Sequence, residues 1–245
     1  MKDAILKNKR WLCIQLPATE YSQAWDLQSN LVAAIRDRII NTNIILLLEH
    51  PPVFTLGRRG GLKSQKVSKS FLESQGIPII QVERGGDITY HGPGQLVVYP
   101  IVDLRASRWS VVEFVEALEE VMIRTLMGWG IEAERNPKNR GVWVGPSKIG
   151  SIGIAVRRSI SFHGLALNVN TELEPFSWVH PCGLQGVRMT SMKEILGKEV
   201  AMEDVRRGTA THIQEIFRVQ MEPKTLNEII NLLGSEISAP DRKAI

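Results

Sequence analysis

The 245-residue chain has two cysteines, and they sit in very different surroundings. Cys182 lies in Val179-His180-Pro181-Cys182-Gly183-Leu184, loop chemistry of the kind in which functional side chains concentrate. Cys13 lies in the apolar run Trp11-Leu12-Cys13-Ile14 and reads as inert packing. A loop thiol becomes a nucleophile when a nearby cation or base lowers its pKa; otherwise it is an unreactive thiol, and the residues alone leave both readings open. Lys148, in Ser147-Lys148-Ile149-Gly150-Ser151-Ile152-Gly153, is one such cation. Strand alternation sets it on the face of Ile152, Ile154 and Val156. A lysine turned toward a core is costly unless paired or neutralised, whereas one at the start of a strand snorkels to water. In the functional reading its ammonium favours a thiolate, or its neutral amine acts as a base. His91, His163 and His180 are further conceivable partners for Cys182. Spacing does not choose among them, nor does it show that Lys148 meets Cys182.

A second unusual stretch runs from Arg84 to Gln95, Arg-Gly-Gly-Asp-Ile-Thr-Tyr-His-Gly-Pro-Gly-Gln, with four glycines in twelve residues. Glycines let a ligand approach the backbone and expose amide N–H groups, and Arg84, Asp87, Thr89, Tyr90 and His91 offer polar contacts. The spacing matches neither G-x-x-x-x-G-K-[ST] nor G-x-G-x-x-G, so a nucleotide-phosphate loop is not supported. A tight turn between two apolar runs is the plainer reading.

The elements that would position these residues are legible in outline. Trp11 to Leu16 reads as a strand stopped by Pro17, with Thr19 or Ser22 as cap of the next helix. Leu27, Leu31, Ile35 and Ile39 recur every four residues and mark one helical stripe. Asn43 to Leu48 reads as a buried strand, residues 69 to 74 as a short helix, and Ile77 to Val82 as another strand. Val111, Val115, Leu118 and Met122 predict the clearest amphipathic helix, ended by Gly128 or Gly130. Lys148 to Val156 and Ile160 to Val169 form a hairpin about the polar tip Arg157-Arg158-Ser159. Helices follow at 202–218 and 225–233, and the tail from Ser235 is expected to fray. Strands and helices do not alternate strictly, which predicts an α+β domain with a mixed, mostly antiparallel sheet packed with helices.

Composition excludes several classes. Hydrophobic residues make up 43% and charged residues 23%, too apolar for a disordered chain. Two cysteines 169 positions apart are no disulfide framework, and no CxxC or HExxH spacing suggests a metal site. The longest apolar run, Ile44 to Leu48, is far short of a bilayer span, and the N-terminal residues have no signal-peptide core, so a cytoplasmic protein without membrane contact is expected. The net charge of +4 is mild, and the basic residues read as scattered pairs without interleaved aromatics, which argues against nucleic acid as a partner.

Three runs taken together resemble the lipoyl(octanoyl) transferases of the biotin/lipoate protein ligase superfamily: RGGDITYHGPGQL from Arg84, KIGSIGIAVRRSISFHGLALNV from Lys148, and HPCGL around Cys182. Their order and spacing also match, and the resemblance covers residues 30 to 220. It implies a biotin/lipoate protein ligase-like catalytic domain, here residues 1–220, followed by a C-terminal helix and tail at 221–245. It implies transfer of an octanoyl group from octanoyl-acyl carrier protein to a lysine ε-amine on lipoyl domains of 2-oxoacid dehydrogenases or on the glycine-cleavage H protein. The acyl group rests as a thioester on the cysteine matched by Cys182, and the lysine matched by Lys148 tunes that cysteine. Arg84, Gly85, Gly86, Asp87, Ile88, Thr89, Tyr90 and His91 line the acyl site, together with Ser151, Ile152, Gly153, Gly164, Leu165 and Ala166. No cofactor and no metal are implied. Gly150 and Ser151 stand where two alanines are more usual, and Val98 where glycine is frequent.

On this reading the oxyanion donors are backbone amides near Cys182 or the glycine-rich segment, or His91. The rivals are an ATP-dependent lipoate or biotin ligase on the same fold, a non-catalytic binder of lipoyl domains or carrier protein, and a cysteine hydrolase. The loop cysteine argues against the ligase, and no Cys-His-Asn signature supports the hydrolase.

Overall fold

Successive residues from Trp11 to Leu16 bury on alternate sides, and this alternation divides the apolar interior in two. Trp11 and Cys13 join one core, Leu12, Ile14 and Leu16 the other. The computed structural model describes residues 9–61, 66–137, 139–179 and 187–234. In chain order its elements are β1 (Arg10–Gln15), α1 (Tyr21–Arg36), β2 (Ile44–Leu48), β3 (Val53–Leu56), α2 (Lys69–Ser74), β4 (Ile79–Gln81) and β5 (Ile88–His91). There follow β6 (Gln95–Ile101), α3 (Leu104–Ser107), α4 (Val111–Met127), β7 (Glu134–Arg135), β8 (Val142–Val144), β9 (Ser147–Arg157) and β10 (Ile160–Asn168). The last are α5 (Glu174–Ser177), β11 (Arg188–Met189), α6 (Met192–Leu196), α7 (Met202–Phe217), β12 (Gln220–Lys224) and α8 (Leu226–Leu233).

The main sheet runs β12-β1-β2-β6-β10-β9-β8-β7, with β11 paired to β9. Among the described strands of this sheet five pairings are antiparallel and three parallel, the mixed, mostly antiparallel α+β architecture expected. β2 and β6 are buried at every position because helices cover both faces. On one face Ile45, Leu47, Leu96, Val98, Leu165 and Leu167 pack with Phe114, Leu118, Val121 and Met122 of α4 and with Val205, Ile213 and Phe217 of α7. On the other, Ile44, Leu46, Val97, Tyr99 and Ala166 pack with Leu31, Val32 and Ile35 of α1 and with Ile229 and Leu233 of α8. Each such side chain contributes about 1.5–3 kcal/mol of burial. A smaller sheet, β4-β3-β5, closes over Phe54, Leu72, Ile88, Tyr90, Phe176 and Met189.

Several local expectations shift by a few residues, for physical reasons. α1 begins without a side-chain cap: Glu20 holds the cap position, while the Thr19 hydroxyl donates to the Pro17 carbonyl at 2.8 Å. Arg38 has φ 61°, which ends the helical path, so Ile39 leaves the stripe and is 52% exposed. α4 carries a full capping box between Ser110 and Glu113 and ends at Gly128. Its buried stripe is rotated relative to the predicted one, with Val111 exposed and Phe114, Leu118, Glu119 and Met122 inside. Gln220–Lys224, at the expected domain boundary, forms a parallel edge strand on β1. Its polar sequence with Pro223 carries no alternation, and proline is tolerated at an edge.

The β9–β10 hairpin is the spine of the molecule. Arg158 and Ser159 have φ 48° and 70°, the backbone of a two-residue turn whose twist matches the strands it joins. Farther along, Gly164 meets β6 so closely that a Cβ would lie 2.0 Å from the Val98 carbonyl oxygen. Gly164→Ala therefore lowers stability by ~2 kcal/mol or more, as overpacking a close backbone contact does. A denaturant midpoint that does not move would contradict this account of the β6–β10 contact.

Candidate functional site

Lys148 is 1% exposed and is among the largest fully buried side chains. Its Nζ donates to the Arg140 carbonyl at 2.7 Å and stands 5.7 Å from the centroid of the Trp143 ring. The loop before β8 makes this possible. Gly141 has φ +120°, and a Cβ there would fall 2.6 Å from Lys148 Cε and 2.4 Å from the Gly150 carbonyl oxygen. Only glycine lets the lysine stem lie on this backbone. The lysine is buried and does not snorkel to water.

A narrow cavity of about 40 Å³ lies beside the same strand. It is lined by Arg84 to Thr89 and His91, by Ser151, Ile152 and Gly153, and by Gly164, Leu165 and Ala166, with Tyr21, Tyr99 and His163 added. Three sequence-distant segments thus share one wall. Gly85 N–H donates to the Ile154 carbonyl at 2.9 Å, docking the glycine-rich segment on β9. A Cβ at Gly153 would fit only tightly, 3.0 Å from the Gly85 carbonyl oxygen and 3.1 Å from Arg84 Cδ. Arg84 is buried and gives Nη2 to the Thr55 carbonyl at 2.6 Å and Nε to the Thr55 hydroxyl at 3.1 Å. Tyr90 turns the other way and packs its ring against Phe54 and Phe176, at 5.4 and 5.5 Å. Of the unusual positions, Ser151 lines the cavity, whereas Gly150 abuts Met122 and Val98 joins the core under α4.

The cavity's polar wall is a set of buried rings. His50 donates Nδ1–H to the Thr19 carbonyl at 2.6 Å, so its Nε2 accepts from the Tyr99 hydroxyl at 2.7 Å. Tyr21 stacks on His91 at 5.9 Å. The tautomer of His91 follows from a relay anchored on backbone. Asn168 Nδ2 donates to the Thr190 carbonyl, leaving Asn168 Oδ1 to accept from Gln95 Nε2 at 2.9 Å. Gln95 Oε1 then accepts from His91 Nδ1–H at 2.7 Å. His91 Nε2 therefore carries a lone pair and is an acceptor, which removes it from the expected oxyanion donors. The relay also reaches the lysine strand, because Thr190 N–H donates to the Lys148 carbonyl at 2.9 Å. His163 is 1% exposed with φ 54°. Its Nδ1 faces the Tyr21 hydroxyl at 3.3 Å, and a Glu83 carboxylate oxygen stands 3.8 Å from its Nε2, beyond hydrogen-bond range. Sequence reasoning passed over Tyr21, His50 and Tyr99, which have no motif of their own.

Cys182 and His180 lie outside the described residues. The chain re-enters the structure at Val187, and Arg188 and Met189 at once pair with Ser147 and Lys148. Cys13 is buried in the α4 core, and burial pushes its thiol up to about 11, as packing would. Among the described residues no group of three or more His, Cys, Asp and Glu is placed to hold a metal ion, and no helix is long and apolar enough to cross a membrane. A larger groove of about 1130 Å³ shares no lining residue with the cavity and gathers Lys9, Arg10, Arg36, Arg38, Arg105 and Arg158. The basic residues that read as scattered are thus partly convergent.

Residues 20–214 match the lipoyl protein ligase A/B catalytic domain. The chain belongs to this family. It is 49% identical over 223 residues to an octanoyltransferase of Syntrophobacter fumaroxidans, covering 90% of this chain and 96% of that one. An octanoyltransferase of Desulfotalea psychrophila is 47% identical over 206 residues, covering 83% and 92%. Among solved structures, a lipoate-protein ligase A bound with ATP superposes with TM-score 0.71 at 16% identity, covering 92% of both chains. A bipartite lipoate protein ligase of Thermoplasma acidophilum also superposes with TM-score 0.71 at 16% identity, covering 92% and 91%. These two show the fold. Within the lipoyl protein ligase A/B fold, the cavity and Lys148 of this chain share β9.

The buried rings make a prediction about pH. Burial holds His50 at about 4 and His91 at about 3, against an ordinary 6.5, and lowers His163 as well. Below the ordinary value the unfolded chain takes up these protons before the folded one. Stability is therefore full above pH 6.5 and falls as the pH drops toward 4 and then 3. Thermal midpoints should decline over that window, and His50→Asn should flatten the decline between pH 6.5 and 4. An unchanged slope in that variant would mean that His50 is not buried neutral.

Proposed function

We propose that the chain, as a cytoplasmic enzyme with its catalytic unit in residues 1–220, moves an octanoyl group from octanoyl-acyl carrier protein to Cys182 and then to the ε-amine of a lysine on a lipoyl domain. Octanoyl transfer itself follows from the family and from relatives named octanoyltransferase that are 49% and 47% identical over most of the chain. The observation that carries the covalent route is the buried Lys148, held by a backbone carbonyl on the strand that walls the cavity.

The chemistry follows from charge and connectivity. The Lys148 ammonium favours the Cys182 thiolate by opposite charge. The thiolate attacks the carbonyl carbon of the donor thioester; a new C–S bond forms, the old one breaks, and the carrier thiolate leaves and takes up a proton. This exchange of one thioester for another is nearly neutral in energy. The neutral amine of the acceptor lysine then attacks the Cys182 thioester. Its C–N bond forms, the C–S bond breaks, and the ammonium proton passes to a base, for which the neutral amine of Lys148 is suited. Amide formation makes this step downhill. The donor arrives activated, so no ATP and no cofactor are needed. The narrow cavity, walled by Gly85, Gly86, Gly153 and Gly164, suits an unbranched alkyl chain. His91, as an acceptor, orients a donor group of the substrate, and the oxyanion falls to backbone amides. The acceptors would be lipoyl domains of 2-oxoacid dehydrogenases or the glycine-cleavage H protein. The six-cation groove has the sign that acidic protein partners need. The lipoate ligase likeness rests on fold at 16% identity, and it does not favour an ATP-dependent reaction here.

Incubation with octanoyl-acyl carrier protein, followed by intact-mass measurement, tests this directly. The expected result is a gain of one octanoyl group that disappears on adding apo lipoyl domain and is absent in Cys182→Ala. Lys148→Ala should cut turnover by ~100-fold, the lower end for lost acid–base catalysis. A mass gain that requires ATP and free octanoate, or one that persists in Cys182→Ala, would overturn the covalent route.

A further inference from the structure

Three side chains of fixed charge are buried among the described residues: Arg84, Lys148 and Glu119. The first two belong to the site above. Glu119 lies on α4 and is 1% exposed, on the stripe that faces the sheet. Its Oε1 accepts from Gly141 N–H at 2.9 Å. The carbonyl of that same peptide unit, Arg140 C=O, accepts from Lys148 Nζ at 2.7 Å. One peptide therefore stands between a carboxylate and an ammonium, its N–H toward the anion and its C=O toward the cation. Hydrogen bonds in such a chain polarise one another, and a carboxylate on the N–H makes the carbonyl a better acceptor. The N–H bond also fixes the Arg140–Gly141 peptide plane, and with it the place of the Lys148 nitrogen.

We infer that Glu119 is a positioning residue of the transfer reaction, acting through the Arg140–Gly141 peptide to hold Lys148 in place and to favour its ammonium form. This rests on the reading above in which Lys148 serves Cys182. A carboxylate on the core-facing stripe of a helix is costly unless it is used, and here it reaches the backbone N–H of Gly141. The surrounding charges do not cancel the effect. Arg135 Nε stands 3.5 Å and Arg140 Nη1 3.4 Å from Glu119 Oε2, both on side chains about half exposed. On α4, Glu116 also faces Arg140 at 3.5 Å, while Glu120 is shared between Arg124 and Arg135, at 2.9 and 2.6 Å. From α7, Glu215 stands 3.9 Å from Arg124. The cluster thus holds four carboxylates and three guanidinium groups, and Glu119 is the carboxylate among them that reaches the Lys148-bound peptide, so neutralising it removes the negative charge coupled to Lys148 through that peptide. That loss favours the neutral amine.

The test uses isolated octanoyl-enzyme and measures the rate of transfer to apo lipoyl domain against pH. Every variant shares a rise with pH from deprotonation of the acceptor amine; the wild-type protein adds to it a limb set by deprotonation of Lys148, and Lys148→Ala lacks that added limb. In Glu119→Gln the limb should move to lower pH by roughly half a unit or more, in the direction expected when an anion is removed from beside a cation. Should Glu119→Gln fold poorly, Arg135→Gln, at an exposed position, tests the coupling with the opposite sign, and its limb should move to higher pH. A rate that falls evenly across the pH range, with the limb in place in both variants, would overturn the inference while leaving the role of Lys148 intact. An added limb that survives in Lys148→Ala would instead overturn the reading of Lys148 itself.

Discussion

An ammonium group with 1% exposure must be given a partner, and much of this structure follows from providing one. One partner of Lys148 is a backbone carbonyl, so the lysine stem must lie against main chain. That demands a glycine at 141, where any Cβ would strike the stem, and a loop whose peptide plane is fixed. The loop is fixed in turn from α4, which must therefore carry a carboxylate on its buried stripe. β9 must run long and straight enough to offer Lys148 at one end and Ser151 to Gly153 at the cavity wall. Its register is locked by β10 and β11 along one edge and by β8 along the other. A single buried charge thus constrains a helix, a loop and four strands.

The cavity obeys a complementary rule: its histidine rings are neutral. His50 and His91 are kept uncharged by burial, and their tautomers are set by a backbone carbonyl and a side-chain amide relay. Neutral rings line an acyl slot without attracting counter-ions, while the fixed charge of Arg84 is absorbed by Thr55 and by the carbonyl of Gly85. The relay through Gln95, Asn168 and Thr190 ends on the Lys148 strand, so the glycine-rich segment and the lysine are held by one network. Rigid placement of this kind is what acyl transfer draws on, since holding groups in a productive geometry lowers the entropic part of the barrier.

The sequence made the strands and long helices legible because their periodicity reflects burial on two faces, as in Trp11 to Leu16 and in α4. Lys148 was legible as an oddity by alternation alone, and the grouping of Arg84–His91 with Ser151–Gly153 and Gly164–Ala166 came from the resemblance. What stayed hidden had no local signal. Glu119 looks like one of four glutamates on an amphipathic helix, and only the rotated stripe shows that it points inward. Tyr21, His50 and Tyr99 are single residues on separate elements, brought together by the crossing of α1 over the sheet. Tyr90 lies inside the motif yet faces the small core, because alternation along β5 sends neighbouring residues to opposite sides. β12 has no pattern at all and exists because β1 offers it an open edge.

The likeness in fold to ATP-binding ligases poses a question of economy that the structure helps to answer. A ligase that starts from a free acid must activate it, and a lipoate-protein ligase A of like fold is bound with ATP. A transferase receives its acyl group already activated and needs only a nucleophile that can hold the acyl group and release it. One fold can therefore be common to both chemistries. In this chain the candidates for the transferase chemistry are a loop cysteine and a lysine buried on the slot's own strand. On the two-step route proposed above, lysine suits both halves because it can be charged to favour the thiolate and neutral to take the proton of the incoming amine. A surface lysine would have to be brought to the site for each step. A buried one, held by a carboxylate-anchored peptide and facing an indole ring, is kept in one place for both.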